Sequence, residues 1–280
     1  MDYTLTTVMK IHQGWIKSID IDPYDAFVAS SSMDRSIKLV DIKTKQLLAS
    51  ISQKSVCEDV RFSTKHPYLF CASLDGLIRC YDLIDREFIK EYYGHMSSVL
   101  CLDTCEDMLF SGSADCTVRG WDIRSRSCTS IMKGHTLPIN RVIYRHSNVY
   151  SCSMDGCINV WDERNTRSCV AMLSSSASDM CFCGDTLFIS NSKAVFECNQ
   201  PSDAVLQIDT LCLQHYDNQH YIIGSEEFIL IKSKNTGIPD HRINIFGMAN
   251  TLKATSDRTK IIVGGTSKNM EFLEKNEHGI

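Results

Sequence analysis

Gly94-His95-Met96-Ser97-Ser98-Val99, followed by Ser113-Ala114-Asp115 and then Val118-Arg119-Gly120-Trp121-Asp122, is the stretch on which the fold turns. Forty residues on it returns as Gly134-His135, Met154-Asp155 and Ile158-Asn159-Val160-Trp161-Asp162. In both copies the aspartate lies twenty residues after the histidine, and Trp-Asp begins six residues after the aspartate. A fixed period near forty with this signature is the mark of a β-propeller, one four-stranded blade per repeat. Seven blades of ~40 residues fill a chain of 280 residues. The expectation is an all-β, seven-bladed propeller forming a single domain over residues 1–280.

Two weaker repeats precede the clear pair. In the first, His12 leads to Asp34 and Val40-Asp41 holds the Trp-Asp place; in the second, Gln53 stands for the histidine and Asp75 leads to Tyr81-Asp82. Beyond Cys169 the signature fades, yet strand-like runs continue in pairs: Thr186–Ile189 with Ala194–Phe196, Tyr221–Gly224 with Phe228–Ile231, and Lys260–Val263 with Met270–Leu273. These predict three degenerate blades. Ser174-Ser175-Ser176-Ala177-Ser178 carries no motif and is expected to be an inter-blade loop. A propeller must close or leave raw sheet edges. The last repeat supplies about three strands, so the β-prone Tyr3–Lys10 is expected to complete the seventh blade.

Composition narrows the class. Hydrophobic residues make up 43% and charged residues 22% of the chain, enough apolar surface for a packed core. No apolar run reaches the ~18–20 residues of a membrane span, and Met1-Asp2-Tyr3-Thr4-Leu5 lacks the basic and apolar regions of a signal peptide. A cytosolic or nuclear protein without a membrane partner is expected, monomeric by itself. A net charge of −5 does not indicate generic binding to nucleic acid. The fourteen cysteines are expected to be reduced: Cys71, Cys101, Cys116, Cys152 and Cys157 fall in predicted strands or turns, where a thiol is a small apolar group. Their spacings, including Cys101 with Cys105 and Cys181 with Cys183, do not suit zinc, and no cofactor motif stands out.

A histidine, a serine, an aspartate and a tryptophan per repeat look like a catalytic set. Repetition argues for scaffold instead. In propellers of this kind these residues form one buried hydrogen-bond chain, here His95–Asp115–Ser111–Trp121 and His135–Asp155–Ser151–Trp161, and a satisfied buried network holds geometry. Paired carboxylates, a metal set and a nucleophile motif are all lacking, so an enzyme is not expected.

Partner contacts are expected elsewhere. Trp15, Val56, Ser98 and Pro138 sit just before the inner strands; Gln13, Lys54, Met96 and Thr136 lie two residues earlier; Met33, Leu74, Ala114 and Met154 precede the turn aspartates. In propellers these positions open on the top face around the central channel. They give a candidate partner-binding rim of Trp15, Gln13, Met33, Lys54, Leu74, Met96 and Met154, rich in the side chains that interfaces favour. Lys38, Arg79 and Arg119, with Asn159, share one register, and are expected to make inter-blade ion pairs with covered stems.

The first 170 residues resemble the pleiotropic regulator family of spliceosomal WD-repeat proteins. The matching segments are His12-Gln13-Gly14-Trp15-Ile16-Lys17-Ser18 with Asp22-Pro23, then Lys65-His66-Pro67-Tyr68-Leu69-Phe70, then Tyr93-Gly94-His95-Met96-Ser97-Ser98-Val99, then Trp121-Asp122-Ile123-Arg124-Ser125-Arg126 and Gly134-His135. The last third matches in rhythm alone. Members usually carry a long N-terminal extension, whereas this chain starts at the propeller. The resemblance implies a non-catalytic scaffold in the nucleus, associated with the Nineteen complex, with spliceosomal proteins and snRNA within the complex as partners. Trp121-Asp122-Ile123-Arg124 and Trp161-Asp162-Glu163-Arg164 also fit the Trp-Asp-x-Arg box through which some propellers dock on a cullin-RING ubiquitin ligase adaptor, and plant relatives of the family are placed there. A scaffold in another nuclear complex is the remaining alternative.

Overall fold

The computed structural model describes residues 3–276 apart from 86, 126, 163–166, 173–175, 199 and 235–240. Its strands form seven antiparallel four-stranded sheets. Blade one takes Ile16–Ile21, Phe27–Ser32, Ser36–Asp41 and Leu47–Ser52, from the channel outward, and blade two Cys57–Phe62, Tyr68–Ser73, Ile78–Asp82 and Phe88–Tyr92. Blade three takes Val99–Cys105, Met108–Ser113, Thr117–Asp122 and Cys128–Lys133, and blade four Ile139–Arg145, Asn148–Ser153, Cys157–Trp161 and Arg167–Met172. Blade five is Asp179–Cys183, Thr186–Ser190, Ala194–Glu197 and Gln200–Gln207; blade six is Cys212–His215, His220–Gly224, Phe228–Ser233 and His241–Asn244.

Blade seven combines Ala249–Ala254, Lys260–Gly265 and Asn269–Lys275 with Tyr3–Lys10 as its outer strand. Tyr3 pairs with Lys275 and Met9 with Met270, with a bulge between Leu5 and Thr7. At the start of that strand the Tyr3 hydroxyl donates to the Arg258 carbonyl at 2.6 Å and meets the Tyr216 hydroxyl at 2.7 Å, which ties the first residues to blades six and seven. The two ends of the ring are thus joined by backbone pairing, and no raw edge is left at the seam.

Each blade packs both faces against a neighbour, so second strands such as Val28–Ser32 are buried throughout. The apolar residues fall into clusters that each straddle one inter-blade interface. Phe70, Ile78 and Tyr92 of blade two meet Val99, Leu102 and Trp121 of blade three. Phe188 of blade five stacks on Tyr221 of blade six, ring centroids 4.4 Å apart. Across the seam, Ile262, Met270 and Phe272 pack on Ile16, Ile19 and Val40.

The cysteine expectation needs one correction. Cys57 and Cys71 are joined as a disulfide within blade two. The register break between Cys57 and Asp59 pairs Cys57 with Ser73, two residues from Cys71 on the same face, with Cα atoms 6.0 Å apart, inside the range a disulfide spans. Cys101 and Cys152 are buried, and Cys116 and Cys157 are partly exposed. Of the expected inter-blade loop, Ser174 and Ser175 lie outside the described residues. Among the described residues no helix is long and apolar enough to cross a membrane.

Candidate functional site: the top rim

Two kinds of loop share one face of the disk, the segments that lead into each inner strand and the turns between second and third strands. In blade three the turn aspartate ties them together. Asp115 accepts from His95 Nδ1 at 2.8 Å, from the Met96 amide at 2.9 Å, and from the amide and hydroxyl of Thr117 at 2.9 and 2.6 Å. His95 Nε2 lies 2.7 Å from Ser111 Oγ, and Trp121 Nε1 donates to that same oxygen at 2.8 Å. The bonded order is therefore Asp115, His95, Ser111, Trp121. Asp115 does not touch Ser111, which corrects the order expected from sequence. Blade four repeats the chain: Asp155 to His135 at 3.0 Å, His135 to Ser151 at 2.8 Å, Trp161 to Ser151 at 2.9 Å.

The chain is satisfied when the imidazole is neutral. The carboxylate takes the Nδ1 proton, Ser111 donates its hydroxyl to Nε2, and the indole N–H fills the serine's lone pair. Protonating Nε2 would remove Ser111's acceptor. Burial pushes His12 and His95 below the ordinary histidine value despite the aspartates beside them. Burial also works to raise Asp115, but Thr117, the Met96 amide and His95 outweigh it and hold the carboxyl near 2. Asp, His and Ser in this order match a hydrolytic triad. Yet Ser111 and Ser151 are wholly buried, and their oxygens are occupied by tryptophan, so neither meets the requirement for an exposed nucleophile.

The aspartates also position the rim. Asp34, Asp115 and Asp155 accept the amides of Gln13, Met96 and Thr136, each at 2.9 Å, and these residues directly follow the three histidines. Blade one keeps His12 to Asp34 at 2.9 Å and His12 to Ser30 at 2.8 Å, with Val40 in the tryptophan place. Blade two differs. Gln53 bonds Tyr81 at 2.7 Å, and Asp75 turns to Arg79 at 2.5 Å. No aspartate there holds the Lys54 amide among the described residues.

All seven rim residues expected from sequence, Trp15, Gln13, Met33, Lys54, Leu74, Met96 and Met154, are exposed on this face. Trp15 is 49% exposed and lines the mouth of a central cavity of about 350 Å³. The carbonyls of Trp15, Val56, Ser98 and Pro138 accept the amides of Met33, Leu74, Ala114 and Met154 at 2.9–3.0 Å, one such bond per blade. The same bond joins Met248 to Thr266 in blade seven. This adds Met248 and Phe246, 39% and 62% exposed, to the rim. Sequence reasoning passed over both, although Phe246-Gly247-Met248 repeats the spacing of Gln13-Gly14-Trp15. Both glycines are required. A Cβ on Gly14 would lie 2.7 Å from the Asp34 amide, and Gly247 has a φ of +84°, where other residues are strained.

Below the mouth the cavity is polar. Asp20, Asp59, Asp103 and Asp179 accept amides of Phe62, Leu102, Tyr144 and Leu213 on the next inner strands at 2.7–2.9 Å. Arg61 pairs with Asp59 at 3.0 Å, Lys253 with Asp20 at 3.1 Å and Arg141 with Asp179 at 3.4 Å. Burial raises Asp103 and Asp179 above the usual carboxylate range. These aspartates had no readable spacing, because they occupy two registers of the inner strands.

The row of cations does not form the inter-blade ion pairs expected. Lys38 donates to the Ile11 carbonyl, Arg79 pairs with Asp75 and with Glu91 of its own blade, the Arg119 guanidinium lies 6.0 Å from the Trp121 ring, and Asn159 reaches His135. Third-strand side chains at this register turn to groups beside their own blade rather than to a charge on the neighbour. Of the Trp-Asp-x-Arg boxes, Arg124 pairs with Asp107 at 3.0 Å on the opposite face, and Glu163 and Arg164 lie outside the described residues.

A closed ring of seven four-stranded blades, with a buried aspartate–histidine–serine–tryptophan chain recurring under its turns, defines a repeat propeller. Residues 3–41, 45–82, 86–122 and 126–162 match the family described as "WD domain, G-beta repeat", more than half of the chain, and the chain belongs to that family. The matched repeat from Tyr3 spans the outer strand of blade seven and three strands of blade one, the one-strand offset that closes the ring. Among curated proteins the chain is similar to Pre-mRNA-splicing factor PRP46 of Candida albicans, 34% identical over 85 residues, 28% of this chain and 21% of that protein. It is also similar to PRP46 of Saccharomyces cerevisiae, 33% identical over 73 residues, 25% and 16%, and to an uncharacterized WD repeat-containing protein of Schizosaccharomyces pombe, 29% over 79 residues, 28% and 20%. These matches span about a fifth of the relatives' length. In fold it superposes on U3-55K, TM-score 0.86 at 16% identity over 96% of this chain and 98% of that one. It superposes equally on the RRP9 WD40 repeats, TM-score 0.86 at 15% over 98% and 99%.

Proposed function

We propose that this chain is a non-catalytic scaffold of the pre-mRNA splicing machinery, working in the nucleus as one propeller unit, and that partner proteins dock on the top rim around Trp15. The observation that carries the docking face is the half-exposed Trp15 at the channel mouth, ringed by exposed Met33, Leu74, Met96, Met154 and Met248. A tryptophan left in water beside methionines is the composition of an interface centre. The splicing context rests on the partial similarity to PRP46 and on the motifs shared with pleiotropic regulators, which also suggest the Nineteen complex.

Co-purification tests this. Trp15→Ala should stay folded, with stability changed by no more than about 0.5 kcal/mol as for ordinary surface positions, and should weaken association with spliceosomal proteins by ~2 kcal/mol or more. Tyr24→Ala, on the opposite face and 89% exposed, should keep it. The reverse pattern would place docking on the other face. Recovery of a ubiquitin-ligase adaptor instead of splicing proteins by the wild-type chain would replace the context.

A further inference from the structure

We propose that the docked segment is a stretch of partner polypeptide with apolar side chains flanked on one side by lysine or arginine, and that its basic end rests on blade six. This rests on the top face being the docking face. The loop bearing Phe246 and Met248 is bonded at both ends to the turn of blade six: Ile245 donates to the Glu227 carbonyl and Ala249 to the Ser225 carbonyl, each at 3.0 Å. That turn carries Glu226 and Glu227, both exposed, and the Ser225 hydroxyl donates to the backbone carbonyl of Asp209 at 2.7 Å, whose exposed side chain is a third carboxylate. Among the described residues none of the three carboxylates has an ion-pair partner. Across the channel the exposed charges of blades one and two have the other sign. Arg35 and Lys54 stand on blades one and two, their loops joined by the Gln53 amide to the Arg35 carbonyl at 2.7 Å.

The top face thus has an acidic cluster on blade six, flanked by exposed Lys193 and Lys268 on the turns of blades five and seven, and a basic pole on blades one and two. An apolar arc of Phe246, Met248, Trp15 and Met33 runs between them. Opposite charges on a partner steer association and fix its orientation on the arc. A phosphate backbone would meet the carboxylates of blade six as like charges, so the cluster selects protein over RNA. The channel offers a docked segment little charge of its own, since its two lysines and two arginines lie beside aspartates or Glu58.

A random-peptide phage library panned on the immobilised protein tests this, with Asp209→Lys/Glu226→Lys/Glu227→Lys and Trp15→Ala panned in parallel after circular dichroism shows both folded. The wild type should enrich peptides in which aromatic or aliphatic residues are flanked by Lys or Arg, at least tenfold over the naive library. The charge-reversed variant should lose that flank and enrich Asp or Glu in its place. Trp15→Ala should lose the whole class. Apolar peptides without a basic flank, or the same flank on the charge-reversed variant, would overturn the polarity while leaving the docking face intact. Selection by Trp15→Ala of the wild-type peptides would overturn the docking face itself. Failure of the wild type to enrich any peptide would overturn the proposal.

Discussion

Blades three and four and blades five to seven have the same architecture on different physics. Under each turn of the first pair a histidine, a serine and a tryptophan are chained to an aspartate. By strand register the serine place in the later blades is Ile189, Ile223 and Val263, and the tryptophan place is Cys198, Lys232 and Leu273. β-Branched side chains fill the serine place, the buried Lys232 donates to the Val205 carbonyl and the buried Glu271 accepts the Phe246 amide, and the interfaces close on stacked rings and aliphatic clusters. A blade therefore does not need the polar chain to form. What the chain adds is hold on the face above it, since its aspartate also bonds the amides of Gln13, Met96 and Thr136.

The largest effect should come from the seam. Without residues 1–10, blade seven loses its outer strand and Met270, Phe272 and Leu273, now wholly buried, gain an open edge. Calorimetry should show one cooperative transition lowered by about 10 °C or more, several kcal/mol at the usual conversion. An unchanged melting curve would mean that the last blades stand without closure. Next comes Asp115→Ala, expected to cost roughly 1–3 kcal/mol because the buried His95 proton loses its acceptor. Ser267, the register equivalent in blade seven, is a neutral hydroxyl bonded to the Glu271 carboxylate and should cost less than the aspartate, about 1 kcal/mol or below as Ser267→Ala. Equal losses in chemical denaturation would erase the distinction between the two kinds of blade.

The smallest effect is in pH. The folded values of His12 and His95 are lowered, so the unfolded chain takes up more protons as pH falls through about 6.5. Their share of stability is present above that value and lost on acidification. Asp34 and Asp115, also lowered, add a second loss below about pH 4. Asp103 and Asp179, raised by burial, act in the opposite sense as pH rises above that value. Site-resolved imidazole titration by NMR separates these contributions. His95 should titrate below 6.5, and an apparent value at or above it would contradict the neutral chain.

Blades one to four were legible because a polar chain demands particular side chains at fixed spacings. Tyr3–Lys10 was legible because an incomplete last blade demands a strand from somewhere. Blades five to seven were legible in rhythm alone, since Ile189 or Val263 in place of serine looks like any strand residue. Phe246 and Met248 went unread for the same reason, as Ser267 replaces the aspartate that would have marked their blade. The cations failed for a geometric reason. Register put Lys38, Arg79 and Arg119 in one row, but not which neighbour their long side chains would reach.

The central claim is that the turn aspartates hold the docking rim in place. Native-state hydrogen exchange at single amides tests it most directly. The Gln13, Met96 and Thr136 amides should be protected, the Lys54 amide should exchange rapidly, and Asp115→Ala should release Met96 alone. Met96 exchanging as fast as Lys54 in the wild type, or staying protected in Asp115→Ala, would contradict the account.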